Sequence, residues 1–113
     1  MTTITDEYIK GMLPSAKRYC VAILKKGSVI NHPDKQKLQW EHVRRNFQLR
    51  ADGIMPIVLP VMDETDTMGI GIFNTDNIEE VKKNLDEDPN IKAGIFIYEV
   101  HPCFSFPGDS LPV

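Results

Sequence analysis

Proton transfer near neutral pH calls for an imidazole, and this chain has three, His32, His42 and His101. None stands in a metal-binding spacing such as two histidines four apart, and Cys20 and Cys103 are isolated rather than clustered, so no metal site is expected. Gly69 and Gly71 fall within an apolar run, where glycine admits close backbone packing rather than cradling a phosphate. Ser105 and Ser110 lie in a proline-rich tail without the strand-to-helix setting of a nucleophilic serine. His42 stands apart because it sits in a helical pattern, one position off an apolar stripe and bordering the core. A carboxylate beside it would orient the ring for general acid or base work. The bland reading of the pattern alone is a partly exposed helix histidine. Asp88, just before Pro89, reads alone as a turn residue.

The elements that must hold these groups follow from periodicity. Thr5 before Asp6-Glu7 caps a short helix ending near Met12, before Leu13-Pro14. It reads as an extension packed on the domain. The apolar run Tyr19 to Leu24 is strand one, and Lys35 to Ala51 is a helix with Trp40, Val43, Phe47 and Ala51 on its apolar stripe. Ile54 to Met62 carries Pro56 and Pro60, which places it at a sheet edge. Their missing donors point to the same side, leaving the other free to pair. Met68 to Phe73 is strand three, Asn77 caps a helix to about Leu85, and Ala93 to Val100 is strand four. The order is βαββαβ, a ferredoxin-like α+β arrangement: a four-stranded antiparallel sheet with two helices on one face and an extra N-terminal helix.

At 113 residues there is room for a single core. The expected division is an N-terminal extension over 1–16, the domain over 17–103 and an irregular tail over 104–113. Sixteen acidic against thirteen basic side chains, net charge −3, with the cations interleaved among acids, argue against a nucleic-acid partner. No apolar stretch reaches membrane-spanning length, the start does not read as a signal peptide, and free thiols suit a cytoplasmic setting. Strands one, three and four are apolar on both alternations while two helices cover one face only. A homodimer through the open face is the expected remedy.

From Tyr19 to Pro102 the chain resembles the YCII-related (YciI-like) family of dimeric α+β barrel proteins. The resemblance rests on Val21-Ala-Ile-Leu-Lys-Lys-Gly27, on Glu41-His42 with Gly53 eleven residues beyond, and on Pro60. It continues through Gly69-Ile-Gly-Ile-Phe73, Asp88-Pro89 with Lys92-Ala-Gly94, and Glu99-Val-His-Pro102. It implies that His42 and Asp88 pair in a cleft near the dimer interface, in a cofactor-free enzyme of hydrolytic or lyase-like chemistry on a small organic molecule. The rival reading is a non-catalytic dimer whose cleft holds a small ligand. Leu59 stands where relatives carry glycine before the proline, which implies a narrower or filled pocket. Cys103 stands where they often carry an aromatic residue. The N-terminal helix and the tail are additions to the family core.

Overall fold

The computed structural model describes residues 2–113. Its elements run α1 Asp6–Met12, a single 3-10 turn Leu13–Ser15, β1 Lys17–Lys26, α2 Lys35–Ala51, β2 Ile57–Pro60, β3 Thr67–Phe73, α3 Ile78–Asp86, α4 Pro89–Lys92 and β4 Phe96–Ser105. The strands form one antiparallel sheet in the order β2-β3-β1-β4, the ferredoxin-like α+β topology. Cys20, Ala22 and Phe73 point to one face of the sheet and pack with Met55 against Leu49 of α2 and Val81 and Leu85 of α3. Both long helices therefore share a face.

The prolines behave as edge-strand logic requires. β2 is an edge, and the Val61 N–H beyond Pro60 donates to the Met68 carbonyl at 3.0 Å, so pairing runs on the side away from the missing donors. The strand itself is shorter than the apolar run, because only Ile57–Pro60 finds partners on β3. Gly71 sits opposite Val58, and a Cβ there would run into the Met55 sulfur. Its absence lets Met55 cross the sheet face. Asn77 caps α3, its side chain accepting the Glu80 N–H at 3.1 Å.

Several expectations need correcting. Strand four does not begin at Ala93: Ala93 closes α4, and Gly94 turns the chain at φ 75° before β4 starts at Phe96. Nor does the tail begin at residue 104. Phe104 and Ser105 pair with Arg18 and Lys17, because β1 extends far enough to offer them a ladder. Pro102 is tolerated within β4 since that strand is the other edge. The N-terminal helix is not packed into the core: α1 buries no residue, and Ile4, Tyr8, Ile9 and Leu13 stay exposed.

The largest correction concerns α2. Trp40 and Phe47, expected to face the core, are 64% and 63% exposed. The buried residues of the helix are His42 and Leu49, seven apart and so on one face. The helix is turned with a mixed stripe inward, His42, Arg45 and Asn46 alongside Leu38, Val43 and Leu49. Cys20 is buried and Cys103 partly so, and both are free thiols. Burial, with Cys103 and Asp76 nearby, pushes the Cys20 thiol upward.

Candidate active site

Two local structures deliver the two key side chains. Asp88 lies just before α4 in extended backbone and caps it, with Oδ1 accepting the Asn90 N–H at 2.8 Å. Pro89 occupies the first helical position, where its missing N–H is harmless. That use of Oδ1 leaves Oδ2 aimed at α2, where it meets His42 Nδ1 at 2.7 Å. The two residues are 6% and 5% exposed, so the contact is sheltered from water. The pairing unites residues 46 apart in the chain.

The second ring nitrogen defines the tautomer. His42 Nε2 lies 3.2 Å from the amide nitrogen of Asn46, one turn along the same helix. An amide nitrogen only donates and an ionised carboxylate only accepts. Both neighbours therefore assign the proton to Nδ1 and a lone pair to Nε2. Phe96, the first residue of β4, meets the imidazole edge to face, with centroids 5.3 Å apart and planes at 84°. It keeps that side of the ring dry.

Asn90 extends the network. It is fully buried, and its side-chain nitrogen donates to Gln39 Oε1 at 2.9 Å, tying α4 to the same stripe of α2 that carries His42. Its Oδ1 is buried without a protein partner among the described residues, a desolvation cost of about 1–3 kcal/mol. Violations of this kind gather at functional sites.

The pair opens on a cavity of about 810 Å³ between α2, the sheet and the start of β4. Its walls are mostly apolar, with Leu24, Met55, Val58 and Phe96 among them, and its polar groups come largely from α2. Volume and lining suit a small organic molecule. Leu59, expected to narrow the pocket, does not line it; Val58 and Pro60 do, since alternate strand residues face opposite sides. The other histidines lie elsewhere. His32 Nδ1 accepts the Asp34 N–H at 3.0 Å in the loop before α2, and His101 is exposed, 3.1 Å from Glu99.

Sequence reasoning singled out His42 and Asp88 but missed Asn46, Asn90, Gln39 and Phe96. Asn46 was findable, because a polar side chain four residues after a helical histidine shares its face.

The fold and this site define the class: a ferredoxin-like α+β protein with a buried His–Asp pair opening on a mostly apolar cavity. Among solved structures, the chain is similar to 5-chloro-2-hydroxyhydroquinone dehydrochlorinase from Burkholderia phenoliruptrix, in complex with 2,5-dihydroxybenzoquinone. The match has 21% sequence identity and a TM-score of 0.53, covering 73% of this chain and 90% of that one. At that identity the likeness supports the shared fold. No protein-family model matches the sequence, and the comparison with curated proteins gives no match.

Proposed function

We propose that this protein is an enzyme acting on a small organic molecule by hydrolytic or lyase-like chemistry, with His42 as the general base and Asp88 as the group that orients it. The observation carrying the reading is the buried 2.7 Å His42–Asp88 contact at the wall of a cavity large enough for a substrate. Nε2, with its lone pair, is the atom that receives the proton. In an elimination, a C–H bond next to a leaving group breaks, its electrons form the new double bond, and the leaving group departs with its own bonding pair. In a hydrolysis, Nε2 takes the proton of an attacking water instead. Either way the resulting imidazolium stays hydrogen-bonded to the Asp88 carboxylate. A substrate must first take the place of the Asn46 amide on Nε2. General base catalysis of this kind contributes roughly 10²–10⁴-fold.

The dehydrochlorinase likeness makes chlorinated hydroquinones the first molecules to try. Chloride release should be followed with wild type and His42→Gln. If the two proteins behave alike on every compound that is turned over, His42 is not the base and the reading falls.

The functional unit in this proposal is a homodimer. Val21, Ile23, Ile70 and Ile72 share the sheet face away from α2 and α3 and are only partly covered within one chain. Burying them against a second copy removes the apolar surface from water. Sedimentation velocity at micromolar concentration should give a dimer; a stable monomer would rule this arrangement out.

A further inference from the structure

Beside the His42–Asp88 pair, the ionisable side chains lining the cavity are Lys35, Arg45 and Arg50, all cations. The chain as a whole carries an acidic excess, sixteen against thirteen. The ionisable lining beyond the pair is thus opposite in sign to the net charge of the chain, and of its cations Arg45 is the one partly buried. Asp88, the cavity's single carboxylate, is already engaged by His42 and by the Asn90 N–H.

Arg45 is the cation placed to act beside the chemistry. It follows His42 by three residues, which is about 4.5 Å along the helix axis and on the same side. It is partly buried, and its Nη2 donates to two acceptors of Asn84, the backbone carbonyl at 2.7 Å and Oδ1 at 2.9 Å. Those contacts consume one nitrogen and lock the guanidinium plane between α2 and the end of α3. Nε and Nη1 have no acceptor among the described residues. A guanidinium held in place by one nitrogen, with three N–H groups unused at a cavity wall, is prearranged for an anion. Holding it costs the ligand no further side-chain ordering.

We infer that the cavity takes a small, mostly apolar molecule bearing an anionic oxygen group, a carboxylate or a phenolate, and that Arg45 anchors that group one helical turn from His42. The inference rests on the reading of this cavity as a substrate site, and it names the class of substrate. Arg45 is a binding residue here; the proton moves at His42.

The test is binding, measured by calorimetry on the intact protein with three probes: benzoate, picrate and uncharged benzyl alcohol. Both anions should saturate, with benzyl alcohol at least about tenfold weaker, a difference of about 1.4 kcal/mol. Arg45→Gln should lower benzoate affinity about tenfold or more and leave benzyl alcohol unchanged, while Arg45→Lys, which keeps the charge, should keep the preference for anions. The stronger of benzoate and picrate identifies the carboxylate or the phenolate as the natural group. Benzoate binding that depends on Arg45, together with equal turnover by wild type and His42→Gln, would overturn the enzymatic reading and leave the anion site standing. Equal affinity for benzyl alcohol and benzoate, no saturable binding of either anion, or undiminished benzoate binding by a folded Arg45→Gln would overturn the anion site. If Arg45→Gln does not fold, undiminished benzoate binding by a folded Arg45→Met overturns it equally.

Discussion

Replacing Asp88 by asparagine changes one atom of the central contact and should change the chemistry of the ring. In the native site Oδ1 takes the Asn90 N–H at 2.8 Å and Oδ2 takes the His42 Nδ1 proton at 2.7 Å. The asparagine oxygen can serve only one of these positions. If it stays on Asn90 as the helix cap, the new NH₂ faces Nδ1, and the imidazole must shift its proton to Nε2. That proton then points at the donating amide of Asn46, 3.2 Å away, and the lone pair needed for base catalysis is gone. If instead the oxygen turns to His42, the Asn90 N–H loses its cap, worth about 1 kcal/mol. The charge-assisted bond itself contributes about 1.5–3 kcal/mol relative to its loss. Asp88→Asn should therefore lose about 1–3 kcal/mol of stability, lowering the melting temperature by several degrees in a domain of this size. Activity should fall by roughly 10²–10⁴, the whole general-base contribution. The decisive assay is ¹⁵N NMR of the imidazole: a protonated Nδ1 and bare Nε2 in wild type, the reverse or a mixture in the variant. An unchanged tautomer together with a stability change under about 0.5 kcal/mol would refute the reasoning.

Tyr98 donates its hydroxyl to Asp86 Oδ1 at 2.7 Å, and burial together with that acceptor pushes the phenol up to about 12. Because the folded state holds the proton more tightly than the unfolded chain, Tyr98 favours folding below about pH 10 and loses that contribution as pH rises towards 12. Ultraviolet titration should show one late tyrosine, absent in Tyr98→Phe. Gly71→Ala should be less stable than Gly69→Ala in urea melts, by about 1 kcal/mol, because only the first drives a methyl into buried Met55. Equal midpoints would contradict the packing described. Trp40→Ser should stay within about 0.5 kcal/mol of wild type, whereas a core tryptophan would cost about 3–5 kcal/mol. A loss near the larger figure would mean that α2 is buried through Trp40 after all.

The sequence by itself determined the order of the elements, because that order is written in short-range chemistry. Thr5 and Asn77 announce helix starts with side chains that accept backbone N–H groups. Pro56 and Pro60 exclude a central strand by lacking donors, and the edge position of β2 follows. Periodicity marked α2 at its observed limits, Lys35–Ala51. His42 and Asp88 were legible as a pair through family resemblance, since nothing local links residues so far apart. What only the tertiary structure decided is which way each surface points. Periodicity shows that Trp40 and Phe47 share a face of α2 but not which face the sheet receives, and transfer energy alone would choose theirs. The cavity reverses that choice, because Gln39, His42 and Asn46 must reach Asp88, Asn90 and one another, while Leu49 supplies the packing. Ser105 joined a strand for a related reason: pairing depends on whether a neighbour offers free backbone groups, and Lys17 does. A hydrogen bond between α2 and the cap of α4 exists only once the sheet has set the distance between them.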